Sequence, residues 1–215
     1  MLPCGLKIMS LTTVTGTIPT TAPPSSSGTP GNPLDVFAKE FNMYKGEQYH
    51  FYCKPEGGGA PPSLYQEILK LAEHKVYIWD SYFRKEDAAI FGCLSHPGIS
   101  IKIITEQSGG SLEAFKNDCV TTMETAMTAA IRSGCILKVG HPKATVKDWQ
   151  THDRFLLVDE KVYLIGSSVN NYTSIQKSTG ACEVVSETDK DLIRKAFDYY
   201  WTKLDNGVNV AVHSF

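Results

Sequence analysis

The sequence predicts an α/β protein in which a mostly parallel mixed sheet is flanked by helices. Two observations carry this. Between Ser63 and Val139, short apolar runs of strand length alternate with longer segments of helical periodicity, in the order helix, strand, helix, strand, helix, strand. Further on, Phe155–Val158 and Val162–Ile165 form two apolar runs around the tight turn Asp159-Glu160-Lys161, the pattern of a hairpin.

Residues 1–33 are rich in Thr, Ser, Pro and Gly, as in Thr20-Thr21-Ala22-Pro23-Pro24-Ser25-Ser26-Ser27-Gly28. Such a stretch buries too little apolar surface to offset the entropy of ordering it, so it is expected to be a disordered tail. The folded domain is expected over 34–215.

Leu34, Phe37, Ala38 and Phe41 stand at helical spacing, and aromatic-rich Gln48–Lys54 reads as an edge strand. Gly57-Gly58-Gly59 lacks the G-K-[ST] ending of a phosphate-cradling loop and reads as a plain loop. Ser63 with Gln66 makes a capping box for a helix with Leu64, Ile68 and Leu71 on one face. Val76–Trp79 follows as a buried strand. A second helix spans Lys85–Leu94 with Ala89, Ile90 and Cys93 inward, and Ile99–Thr105 is the next strand. A third helix spans Leu112–Arg132 along Leu112, Phe115, Cys119, Met123, Ala126 and Ala130, and ends at Gly134 before the strand Cys135–Val139. Cys182–Val185 reads as a further strand. Thr188 caps a final helix to Leu204 that buries Leu192, Ala196, Phe197, Tyr200 and Trp201.

The balance of 21 Lys and Arg against 23 Asp and Glu gives a net charge of -2, so any anion site must be local. Lys138, His141, Lys143 and Lys147 make a modest basic approach, read mainly as a solvated loop face. The six cysteines are scattered with no C-x-x-C pair, which argues against a zinc site or dithiol centre and for reduced thiols. No cofactor or metal is expected. No run reaches membrane-spanning length and the first residues make a poor signal peptide, so a cytoplasmic protein is expected.

In open parallel sheets ligands gather at the carboxyl ends of strands, which makes Asp80 and Thr105-Glu106 rim positions. Reactive side chains concentrate elsewhere, in Thr151–Asn171. There His152 and Arg154 stand two apart before the hairpin, Asp159 closes the first strand, and Gly166-Ser167-Ser168 follows the second.

This arrangement resembles the phospholipase D superfamily signature H-x-K-x4-D-x6-G-[SGT], with Arg154 in place of the lysine. The resemblance covers roughly Ser63 to Lys203 and implies that family's α/β sandwich. It further implies that His152 is the nucleophile attacking a phosphodiester, forming a phosphohistidine. A second histidine, from another copy of the motif, protonates the leaving oxygen. The chemistry suits the residue types. Imidazole is a nucleophile when neutral and an acid when charged, and a fixed cation offsets charge building on phosphoryl oxygens.

By the same resemblance Arg154 is the phosphate clamp, Asp159 the motif's aspartate and Glu183 the acid that orients the imidazole. Gly166, Ser167, Ser168 and Asn170 are the expected phosphate contacts. Val169 and Ala181 stand where the family often has asparagine.

The resemblance implies a metal-independent hydrolase, a phosphodiesterase whose site is shared across a homodimer, because one chain supplies one such histidine. Its substrate class is nucleic acid or phospholipid. The alternative is a catalytically degenerate domain that binds the phosphate groups of phosphoinositides or nucleic acid, or serves as a dimerisation or regulatory module.

Overall fold

The computed structural model describes residues 44–45, 49–52, 68–106, 110–142, 153–166, 168–169, 179–205 and 209–215, all within one unit, Gly31–Phe215. The expected tail, the glycine run and residues 34–43 of the helix expected over Leu34–Tyr44 lie outside them, and Tyr44 itself is in a strand rather than a helix.

Among the described residues nine strands form one sheet. They are β1 (Tyr44–Lys45), β2 (Tyr49–Tyr52), β3 (Lys75–Trp79), β4 (Ser100–Ile104), β5 (Ile136–Gly140), β6 (Arg154–Val158), β7 (Lys161–Ile165), β8 (Thr179–Glu183) and β9 (Val210–Ser214), in the spatial order β1-β2-β8-β7-β6-β3-β4-β5-β9. Among the described residues a 3-10 helix covers Lys85–Cys93, and α1 (Leu112–Ala126), α2 (Ala129–Arg132) and α3 (Glu187–Asp205) are α-helical, as are Ile68 and Leu69.

The α/β class with a mixed sheet flanked by helices holds, but the balance inside the sheet differs from the expectation. Only β3–β4 and β4–β5 pair in parallel; the other pairings are antiparallel. The reason is connection length. Helical segments join β3, β4 and β5 and allow parallel crossovers, whereas a two-residue turn joins β6 to β7 and forces an antiparallel pair. β9, which the sequence reading missed, closes the other side against β5.

Both faces of the central strands are buried, which is why they read as near-continuous apolar runs. On one face Val76, Ile78, Ile101, Ile103, Leu137, Val139, Leu156 and Tyr163 pack with Phe91, Phe115, Cys119 and Met123 of the helical layer. On the other, Trp79, Ile104, Leu157 and Val162 meet Phe197, Trp201 and Leu204 of α3. There Phe197 stacks on both Tyr77 and Trp201. Gly140 lets α3 approach, because a Cβ at that position would lie 2.8 Å from Leu204 Cδ1.

Three helix readings are corrected. The third helix breaks at Met127, and Thr128 caps a separate turn through the Ile131 N–H. The Lys85–Cys93 segment winds as a 3-10 helix, turning Ala88 and Phe91 inward and Ala89 outward. Leu192 is 65% exposed, because the buried stripe of α3 runs through Phe197, Trp201 and Leu204 instead.

Candidate anion site at the carboxyl rim

Because β3, β4 and β5 are parallel, their carboxyl ends share one rim. Strand β6 runs antiparallel to β3, so its first residue, Arg154, reaches that same rim, and β7 leaves there into Gly166 and Ser168. The topology therefore brings together Asp80, Arg154 and the post-β7 loop from three distant stretches of chain.

Asp80 is the hub and is fully buried. Its Oδ2 accepts the Ser168 hydroxyl at 2.6 Å and the Val169 N–H at 2.9 Å. Its Oδ1 accepts the Tyr82 N–H at 3.0 Å, and Arg154 Nε stands 4.0 Å from the same oxygen. A carboxylate removed from water needs such partners to offset its lost hydration. The Arg154 guanidinium also lies over the Tyr82 ring, 5.4 Å from its centroid. Val169 is buried in the helical-layer core and pins the loop from below.

The neighbouring rim positions hold the loops together. Thr105 Oγ1 donates to the Phe83 carbonyl at 3.0 Å, and the Glu106 N–H donates to the Ser81 carbonyl. His141 Nε2 lies 2.8 Å from the Glu106 carbonyl, a contact that requires the proton on that nitrogen.

The expected site residues separate into groups. Arg154, Gly166 and Ser168 meet at the rim. Asp159 does not join them: it stands at the other end of β6, about 17 Å along the strand from Arg154. There its carboxylate accepts the N–H groups of Glu73, His74 and Lys75 at 2.8, 3.0 and 2.9 Å. Its φ of 48° is the left-handed conformation that a two-residue hairpin demands. Asp159 thus clasps the hairpin to β3. Partial burial pushes its carboxyl up, but the three N–H bonds outweigh this and hold it below the usual carboxylate range.

Ser168 is also reassigned. It is buried and its hydroxyl hydrogen is engaged by Asp80, so that hydrogen is not available to a phosphate oxygen. Glu183 pairs with Tyr163 on β7 and shares its sheet face, the face to which Arg154 also belongs. It is offset from Arg154 by roughly 7 Å along the strands and 10 Å across them. Burial, with the Glu183 charge adding, pushes the Tyr163 phenol up. His152, Ser167 and Asn170 lie outside the described residues. Among the described residues no cluster of His, Cys, Asp and Glu is arranged to hold a metal, and no helix is long and apolar enough to cross a membrane.

Sequence reasoning placed Asp80 on the rim but gave it no partner, and it passed over Tyr82. A lone Asp at a strand end carries no mark of a contact made 88 positions later.

No protein-family model matches the chain, and no curated protein is similar to it. Among solved structures it is similar to TrmBL2, an archaeal chromatin protein whose structure is described as showing a novel mode of DNA binding. That likeness has 15% identity and a TM-score of 0.38 over 79% of this chain, which spans 58% of that one. It is also similar to Nuc, a phospholipase D family member from Salmonella typhimurium, with 13% identity and a TM-score of 0.43 over 71% of this chain and 90% of that one. Both likenesses are distant, and neither assigns a function.

Proposed function

We propose that this chain is a phospholipase D-like protein whose rim site takes a phosphodiester, with Arg154 as its phosphate clamp. The observation that carries the reading is the placement of Arg154. A guanidinium with a 21% exposed side chain is held at the carboxyl rim by a buried carboxylate and an aromatic ring, beside the loop that leaves β7. Its planar fork matches two phosphoryl oxygens, and anchoring it in advance lowers the ordering cost of binding.

On this reading His152, two residues before the clamp in sequence, attacks phosphorus and carries the phosphoryl group as a phosphohistidine. Arg154 offsets the charge that develops on the equatorial oxygens. Glu183, on the same sheet face, orients the imidazole. Protonation of the leaving oxygen falls to a second His152, supplied by the other protomer of a homodimer. The step balances: the P–O bond breaks as the P–N bond forms, the leaving oxygen takes the partner's proton, and water later releases the phosphoryl group.

The test is turnover of an aryl phosphodiester such as bis(p-nitrophenyl) phosphate in EDTA, with sedimentation to measure the oligomeric state. The reading expects metal-independent turnover by a dimer, abolished in His152→Ala. A monomer without turnover contradicts it.

A second reading is a non-catalytic phosphate-binding domain. The engagement of Ser168 by Asp80 favours it, because that removes one of the hydroxyl donors a catalytic phosphate loop would use. It expects Arg154-dependent, salt-sensitive binding without turnover.

A further inference from the structure

Tyr82 is 46% exposed, although it stands at the carboxyl end of a central strand where its neighbours Ser81 and Phe83 are buried. An isolated exposed aromatic needs no explanation. Tyr82 is distinguished by how it is held. One oxygen, Asp80 Oδ1, accepts the Tyr82 N–H at 3.0 Å and faces Arg154 Nε at 4.0 Å, while the guanidinium lies 5.4 Å from the ring centroid. A single buried atom therefore bonds the root of an exposed ring and faces the cation beside it. On α3, exposed Tyr199 has Lys203 over its ring and Tyr200 at its edge.

We propose that Tyr82 is a specificity-determining residue that stacks a planar base of a single-stranded nucleic acid whose phosphodiester is held by Arg154. This rests on the reading of Arg154 as a phosphate clamp and names the substrate class for it. Two kinds of group attached to a phosphodiester suit an exposed tyrosine: the quaternary ammonium of a choline lipid and the flat face of a base. Arg154 decides between them. Its guanidinium already engages the ring's electron-rich face, and a second cation brought against the same ring is repelled by it. A neutral base meets no such penalty, because it stacks through dispersion and apolar burial and tolerates any sequence. The spacing is also suitable: in a single strand the base and its phosphate are one nucleotide's reach apart, so a ring and a cation in contact engage both.

The experiment measures binding of the full chain to two fluorescent probes by anisotropy at fixed salt. One is a single-stranded oligothymidylate of about eight nucleotides, within the range that one binding groove covers. The other is the same phosphate backbone with abasic residues, and the readout is the ratio of the two dissociation constants. For the natural chain the ratio is expected to favour the base-bearing probe by about 5- to 150-fold, the range of one stacked base. Tyr82→Leu keeps an apolar support under the guanidinium but no π face, and should bring the ratio close to one. Tyr82→Phe should keep it. A ratio near one in the natural chain, or one unchanged in Tyr82→Leu, overturns the proposal. So does binding to phosphatidylcholine vesicles that Tyr82→Leu abolishes, which would identify a cationic head group as the partner of the ring. Failure of the underlying clamp is read separately: if Arg154→Ala leaves abasic-probe binding unchanged, Arg154 is no clamp and the proposal falls with it.

Discussion

Asp80 Oδ2 and Ser168 Oγ lie 2.6 Å apart, tying the end of β3 to the loop after β7 across 88 positions of sequence. This bond, with the Val169 N–H beside it, holds that loop at the rim in register with Arg154. Asp80→Ala removes one carboxylate and leaves three donors without their acceptor, the Ser168 hydroxyl and the N–H groups of Val169 and Tyr82. An unmatched buried donor costs about 1–3 kcal/mol, and the three are not additive. Asp80→Ala is therefore expected to lower unfolding stability by roughly 3–5 kcal/mol, comparable with breaking a buried charge pair. Ser168→Ala, which removes one donor and leaves the Val169 bond, should cost about 1–2 kcal/mol. Urea unfolding midpoints check both. Equal, small losses for the two variants would mean that the rim is not held through Asp80.

Two carboxyls give the fold opposite responses to acid. Burial pushes Asp87 up to about 6, against the pull of the Arg84 N–H that it accepts at 2.8 Å. With its folded pKa raised, Asp87 stabilises most below its unfolded value of about 4, and that contribution is lost as pH rises through about 6. Asp159 is held below the usual range, so its contribution is present above about pH 4 and lost as pH falls through its folded value. Asp87→Asn should flatten the decline in stability between about pH 4 and 6, and Asp159→Asn should remove part of the loss below about pH 4. Denaturant titrations across pH 3 to 7 (a range set by about one unit on either side of these values) measure both slopes.

Gly92 offers a test of packing in which the sign of the effect is informative. Glycine to alanine in a helical segment ordinarily stabilises by about 0.5–1 kcal/mol. Here a Cβ would lie 2.7 Å from the Ala126 carbonyl oxygen and 3.1 Å from the Ala126 Cβ, so the 3-10 helix must move away from α1. Gly92→Ala is expected to destabilise by about 1–3 kcal/mol, the range for overpacking. A rise in thermal midpoint would contradict the close contact between the two elements.

The features legible in the sequence were those set by local pattern. The β6–β7 hairpin showed as two apolar runs around Asp159-Glu160, and Asp159 suits the turn because it accepts a positive φ. Strands β3, β4 and β5 showed as short apolar runs separated by helical periodicity. The features that stayed hidden depend on distant partners or on context. Val210–Ser214 reads as a short tail until β5 is there to pair with it. Leu192 fits an apolar stripe by spacing, yet the sheet meets α3 along Phe197 and Trp201. In the site, the motif spacing pointed to Arg154, and the apolar run between them already put Arg154 and Asp159 at opposite ends of one strand. The three N–H groups whose hydrogens Asp159 accepts belong to Glu73, His74 and Lys75, far away in sequence, and no local pattern marks them.

The proposed function stands on Arg154 clamping a phosphodiester at this rim. Its most direct test is the salt dependence of binding to a single-stranded oligonucleotide, measured by anisotropy for the natural chain and for Arg154→Ala. Arg154→Ala is expected to weaken binding about tenfold or more and to lower the slope of log affinity against log salt by about one, as loss of one phosphate contact requires. An unchanged affinity with an unchanged slope would contradict it.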